Sequence, residues 1–167
     1  MPVTYDSIST TTLGSANTTI TFSSIPSSYT DLRLVMSGKV STTGNNIIAR
    51  LNSDSGTNYS VVSLYGNSST GASVLSSNNN YLWLQWFSYS DSTDPSLITT
   101  DILSYSGSTN KTLISQISTD RDGSGAAEFC CNLWRNTSAI NRIDLYVQSS
   151  NSFSAGFTAT LYGILRA

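Results

Sequence analysis

Apolar and polar residues alternate with a period of two along nearly the whole chain. Ile143, Leu145 and Val147 fall on one side of an extended segment, and Arg142, Asp144 and Tyr146 fall on the other. The same alternation runs through Thr18-Ile20-Phe22, Leu32-Leu34-Met36, Ala127-Phe129-Cys131-Leu133 and Phe157-Ala159-Leu161. Segments of this kind read as half-buried antiparallel strands, and no apolar stripe of helical spacing competes with them. Between them stand "IPSSYTD" (25–31), "STTGNN" (41–46), "SDSGTN" (53–58), "GNSSTGAS" (66–73), "SGSTNK" (106–111) and "DRDGSG" (120–125). Each supplies the Gly, Asn, Asp or Ser that tight turns require.

The pattern predicts about ten short strands, near 3–8, 17–24, 31–40, 46–52, 59–65, 80–89, 97–105, 111–119, 126–134, 140–148 and 156–165. The runs "NSSTGASVLSSNNN" and "DSTDPS" are expected as surface loops between them. With no internal boundary or long repeat, the expectation is one antiparallel β-sandwich over residues 1–167, jelly-roll in connectivity, with helix confined to a turn or two. A domain of this length buries roughly 68–70% of the surface its unfolded chain exposes, enough for a self-supporting core.

One predicted strand departs from the alternation. In "YLWLQWFSY" (81–89), Leu82, Leu84 and Trp86 share one face, and Tyr81, Trp83, Phe87 and Tyr89 share the other. A solitary domain seldom exposes an aromatic face of that size. Tyr81, Trp83, Phe87 and Tyr89 are therefore candidates for a subunit interface. Cover by the same chain and stacking against a sugar remain open as alternatives. Trp134 and Arg135 end a predicted strand at the turn "NTSA" and are expected to form a structural corner, with the Trp closing the sandwich end and the Arg lying over it.

Composition then removes several kinds of chemistry. Ser, Thr and Asn make up about two-fifths of the residues, whereas Asp, Glu, Lys and Arg make up 11%, against roughly 25% in ordinary globular domains. A formal charge of -2 and scattered Lys and Arg leave no cationic field for a polyphosphate, so nucleic acid is not an expected partner. No apolar run is long enough to cross a bilayer, and "MPVTYDSISTTT" carries no secretory signal pattern, so no membrane is expected either and synthesis in a cytoplasm is.

There is no histidine, which excludes Ser-His-Asp and Cys-His nucleophile systems and the usual zinc sites. Glu128 is the only glutamate, and the spacing of Asp91, Asp94, Asp101 and Asp144 singles out no carboxylate pair for glycoside hydrolysis. "DRDGSG" lacks the remaining ligands of a calcium loop and reads as an Asp-Gly hairpin turn. No phosphate-binding loop is present. The chain is not expected to be an enzyme or to carry a metal or other cofactor. Cys130 and Cys131 are neighbours that a strand points to opposite faces, and they are expected as small buried hydrophobes. The five Asn-x-Ser/Thr sequons are what chance gives in a chain this rich in those residues.

The opening "TYDSISTTTLGSANTTITFSSIPSSYTDLRLVMSG", the middle "ARLNSDSGTNYSVVSLYGN", "LWRNTSAINRIDLYV" and the close "GFTATLYGILRA" resemble small β-sandwich proteins of tailed bacteriophages. The most specific marks are Ser23-Ser24-Ile25-Pro26 with Tyr29-Thr30-Asp31-Leu32, Trp134-Arg135 with Ser138-Ala139-Ile140, and Leu161-Tyr162-Gly163-Ile164. Residues 72–125 depart from the pattern. The resemblance implies a virion structural module without an active site: a capsid decoration (cement) protein on the outer capsid surface, partnered by the major capsid protein and assembled as a homotrimer. The alternative is a tail-fibre or receptor-binding module that recognises a host-surface glycan. A first strand beginning by Tyr5, with no shaft-like repeat before it, favours the decoration protein.

Overall fold

Alternating segments become strands where both of their faces find neighbours. A computed structural model describes residues 5–67, 69–86, 93–122 and 124–165. Its strands are β1 (Tyr5–Thr12), β2 (Thr19–Phe22), β3 (Asp31–Gly38), β4 (Ile47–Leu51), β5 (Tyr59–Asn67), β6 (Gly71–Asn79), β7 (Leu82–Trp83), β8 (Ser96–Ile102), β9 (Lys111–Asp120), β10 (Gly125–Trp134), β11 (Ile143–Val147) and β12 (Thr158–Ile164). One 3₁₀ turn, Gln148–Ser150, follows β11.

The strands form an antiparallel β-sandwich. The larger sheet has eight strands in the order β1-β12-β3-β8-β9-β10-β5-β6, and the smaller has four in the order β2-β11-β4-β7. Every strand pairing is antiparallel. Between the sheets, Leu32, Leu34, Met36, Ile98, Ile102 and Leu161 of the larger join Ile20, Phe22, Ile47, Leu51, Ile143 and Leu145 of the smaller in one buried cluster. Those on β2, β3, β11 and β12 are the apolar positions that the period of two marks.

The sequence "GASVLSSNN", expected within a loop, is strand β6 at the edge of the larger sheet. Its small polar residues do not advertise a strand, but its backbone pairs with β5 from Gly66↔Gly71 to Tyr59↔Asn79, with a register shift between Tyr59 and Val61. The aromatic segment is expected as a strand over 80–89; among its described residues, 80–86, Leu82 and Trp83 enter a ladder, against Ala49 and Ile48. Leu84 and Gln85 are buried beyond the end of that short strand.

Strand β10 reverses the expected faces. Glu128, Cys130, Asn132 and Trp134 point inward, whereas Ala127, Phe129 and Cys131 are exposed. Side chains alternate strictly, so seating any one position of a strand seats all of them. Trp134, fully buried at the strand's end, opposes Tyr59 on β5 and Lys111 on β9. Once its indole lies inside, Glu128 must lie inside too and Phe129 must lie outside. The two cysteines therefore part: Cys130 is buried, as expected, and Cys131 is exposed.

The β9–β10 hairpin closes through "DRDGSG". Arg121 N donates to Ser124 O at 2.8 Å, and the Asp120 carboxylate accepts from Asp122 N at 3.1 Å, so Asp120 serves the turn. Gly125 follows with φ +145, and a Cβ there would stand 2.3 Å from Thr119 O. Gly125→Ala is expected to destabilise the fold by about 1–3 kcal/mol, because both the left-handed backbone and the carbonyl oppose a side chain. Urea unfolding of the variant beside wild type measures this, and an unchanged midpoint would refute it.

Candidate functional site

The side chains that fix β10 form a corner at one end of the sandwich. Trp134 stacks on Tyr59 with ring centroids 6.3 Å apart and planes inclined by 12°. Its Nε1 donates to Asp54 Oδ2 at 2.8 Å, and Tyr59 Oη donates to Asp54 O at 3.0 Å. Asp54 also accepts from Asn58 Nδ2 at 2.9 Å and from Gly56 N at 2.8 Å. Beside Trp134 in the ladder, Lys111 is buried with its ammonium donating to the carbonyls of Gly107, Thr109 and Thr137, and burial pulls its pKa below the ordinary lysine value. Arg135 is exposed and donates to Thr57 O and to Asn78 Oδ1, the latter at 3.2 Å, which ties the corner to the end of β6. Trp134 and Arg135 thus join the end of β10 to β5, to the end of β6 and to residues 54–57 at this corner.

Above the inward face of β10, the Glu128 carboxylate accepts hydrogen bonds from Ser63 Oγ, from Trp86 N at 2.9 Å and from Cys130 Sγ at 3.2 Å. Asn132 Nδ2 donates to Trp83 O at 2.9 Å. Polar groups inside a sandwich are tolerated when they are bonded in this way. Here they hold the aromatic segment down onto the sheet. Burial, together with Glu128, pushes the Cys130 thiol pKa well up, which makes it a poor nucleophile.

The reversal of β10 has its counterpart on the outside of the larger sheet. One transverse row crosses all eight strands: Ser7, Tyr162, Arg33, Asp101, Ile114, Cys131, Val62 and Leu75. The next row carries Gln116, Phe129, Leu64 and Ser73 over the last four strands. The face is divided. On one half, Arg33 Nε and Nη2 bind the two carboxylate oxygens of Asp101 at 2.6 and 2.8 Å. On the other half, Leu75 is 75% exposed, Leu64 57%, Val62 47% and Phe129 41%. A shallow depression of about 730 Å³ runs between Leu64, Gln116 and Phe129. Single exposed apolar side chains are ordinary, but four on adjoining strands make a patch of the kind that marks an interaction face.

Of the expected interface residues, Tyr81 and Trp83 lie together, with ring centroids 5.2 Å apart at 69°. Both are half-buried, and Trp83 packs on the core beside Trp86, at a centroid separation of 4.5 Å. Its pairing with Ile48 places it on the outer face of the smaller sheet. Phe87 and Tyr89 lie outside the described residues. The exposed apolar surface is therefore greatest elsewhere, at Val62, Leu64, Leu75 and Phe129. Sequence reasoning passed over Leu75 because it sat in a presumed loop, and took Phe129 for a core residue. Among the described residues, no three His, Cys, Asp or Glu side chains are grouped to hold a metal ion.

No protein-family model matches this chain, and no curated protein or solved structure matches it either.

Two carboxylates respond to acid. Burial opposes ionisation of Asp54, but the hydrogen bonds from Trp134, Asn58 and Gly56 outweigh it and hold the pKa below the usual value. Burial likewise opposes ionisation of Asp144, and Arg142, Thr21 and Ser53 outweigh it there. A carboxyl with a depressed folded pKa contributes stability that is complete above the unfolded value of about 3.9 and is lost as pH falls through the folded value. The melting temperature is accordingly expected to fall below about pH 4, with a shallower acid limb in Asp54→Asn. At neutral pH, Asp54→Ala should cost about 1–3 kcal/mol by leaving the Trp134 indole N–H buried without its acceptor. Calorimetry across pH checks both, and an acid limb identical in Asp54→Asn and wild type would exclude Asp54 as a contributor.

Proposed function

We propose that this chain is a bacteriophage capsid decoration (cement) protein, seated on the major capsid protein through the apolar half of its larger sheet's outer face. The observation that carries this is the exposure of Val62, Leu64, Leu75 and Phe129 side by side on the adjoining strands β5, β6 and β10. Covering such a surface yields roughly 25 cal/mol per Å² of apolar area, and a sheet face presents it as a broad plane suited to another protein's surface. The bidentate Arg33–Asp101 pair lies on the other half of the face, and the two rows that carry the patch hold no charged side chain over β9, β10, β5 and β6.

The strand order supports the same conclusion. In the smaller sheet, early and late strands interleave as β2-β11-β4-β7. Setting aside β1, β12, β8 and β9, the larger sheet retains β3-β10-β5-β6, so that successive strands, the β5–β6 hairpin excepted, pass back and forth between the sheets. We read this as a jelly roll widened by the β8–β9 hairpin and by β1 and β12, an architecture that recurs in viral capsid and lectin domains. Fold alone does not fix function, and the choice of a virion part rests on the resemblance in sequence. The homotrimer and the position on the outer capsid surface rest on that resemblance as well. A tail-fibre or receptor-binding module is the second reading, and it predicts tens of copies per particle where a decoration protein predicts hundreds.

Phe129→Asp combined with Leu64→Asp is expected to leave the fold intact and to weaken attachment to undecorated capsids by roughly a hundredfold or more, since a charge then lies against an apolar contact. Wild-type attachment should persist at high salt, because the contact contains few charges. Co-sedimentation with capsids, quantified against the major capsid band, reads both. Undiminished binding of the double variant, or tens of copies at saturation, would overturn the proposal.

A further inference from the structure

The outer face of the smaller sheet, on the other side of the sandwich, holds a second surface of different chemistry. Strand pairing brings Thr19 of β2, Tyr146 of β11 and Ile48 of β4 abreast, and Arg50 follows two residues along β4 on the same face. The turn after β11 stands beside them and completes a cleft of about 390 Å³, lined by these four residues together with Gln148 and Asn151 among others. That volume lies within the range of sites that hold small ligands, about 300–1,000 Å³.

The cleft is held in shape by its own network. Asn151 Nδ2 donates to Asn45 Oδ1 at 3.0 Å and to Gln148 O at 3.2 Å. Gln148 N donates to Asn46 O at 2.9 Å, and Gln148 Oε1 accepts from Asn46 Nδ2 at 3.3 Å. Within the turn, Ser149 and Ser150 both adopt a left-handed backbone, each with φ 59, although neither is glycine. Both are exposed, so core packing does not require the conformation. Strain of this sort persists where surrounding bonds over-determine it, and it is characteristic of ligand clamps.

Among the described residues, Arg50 is the one charged side chain in the lining. Its Nε donates to Asn80 O at 3.2 Å, and its guanidinium carbon stands 5.8 Å from the Tyr146 ring centroid. Asp144, opposite Arg50 in the ladder, is already engaged by Arg142, Thr21 and Ser53. Among the described residues, the cleft therefore combines a positioned guanidinium, whose cross-strand neighbour Asp144 is bonded to other groups, with an aromatic ring beside an aliphatic side chain, and two amides with a hydroxyl.

We infer that this cleft binds a saccharide bearing a carboxylate, of the hexuronic or sialic acid type. The carboxylate pairs with the planar guanidinium of Arg50, which suits a two-oxygen acceptor. The C–H face of the sugar ring lies against Tyr146 and Ile48, and its hydroxyls exchange hydrogen bonds with Thr19, Gln148 and Asn151. The site does not depend on where the protein sits on a particle, and it faces away from the proposed attachment surface.

The full chain, isotope-labelled, is titrated in an NMR experiment with trigalacturonic acid and with 3′-sialyllactose. Their neutral counterparts, the carboxyl-reduced trisaccharide and lactose, serve as controls. At least one acidic probe is expected to shift the amide signals of residues 146–151 saturably, and its neutral counterpart to bind roughly tenfold or more weakly. Arg50→Gln should abolish that preference, Tyr146→Ala should weaken the acidic probe and its counterpart alike, and Phe129→Asp should change neither. The map of shifts is made on the wild-type protein, so it stands even if a variant fails to fold. The inference is overturned if neither acidic probe produces saturable shifts up to its solubility, if acidic and neutral forms bind alike, or if Arg50→Gln retains the preference. Loss of capsid attachment in the Phe129 variant alone bears on the attachment face and leaves this site standing.

Discussion

The seating of one indole organises much of this molecule. Trp134 lies flat against Tyr59 and donates its N–H to Asp54, so the end of β10 has a single comfortable place. A β-strand has no independent choices beyond that point, because each residue inward sends the next outward. Burying Trp134 and Cys130 leaves Glu128 and Asn132 inside as well, and these are accommodated by bonding to Ser63, Trp86 and Trp83. It also leaves Phe129 outside, beside Leu64. The apolar patch and the buried carboxylate are two results of the same register.

The sequence told the fold class clearly because the period of two survives in β2, β3, β11 and β12, whose apolar residues are the core. It was silent where a strand's cover is not symmetrical. In β10 the longer apolar run, Ala127 to Leu133, looked like the buried face, and the preference of a single Trp with its hydrogen-bond acceptor decided otherwise. Asp54 lies 80 residues away on the chain, so no local pattern could announce it. In β6, Ser and Asn carry the strand, and only the backbone partnership with β5 makes it one. The aromatic segment differs in the opposite sense: its apolar residues suggest a long strand, yet among the described residues 80–86 Leu82 and Trp83 alone find a ladder.

The candidate sites follow the same division. Trp134 and Arg135 were legible as a corner because a strand-ending Trp next to Arg has a limited repertoire. Arg50 and Tyr146 were not legible as a pair, since they belong to different strands and meet only through the β4–β11 pairing. The sandwich thus separates two kinds of surface by its own thickness. An apolar patch lies on one half of the larger sheet's outer face, and a small polar cleft carrying Arg50 lies on the smaller sheet. A protein that must hold to one body while meeting another has use for such a separation.

Strand β6 carries a further implication. It forms one border of the larger sheet, nine residues long, without a charged residue or proline, and with Leu75 standing out from it. Sheets usually protect a border of that length with lysine, proline or a covering loop, because bare backbone recruits strands from other chains. Here the bulge in the β5–β6 pairing is the visible irregularity. At high concentration, copies of the chain would meet one another at this border, so limited abundance itself becomes part of what keeps the protein in its folded, dispersed form.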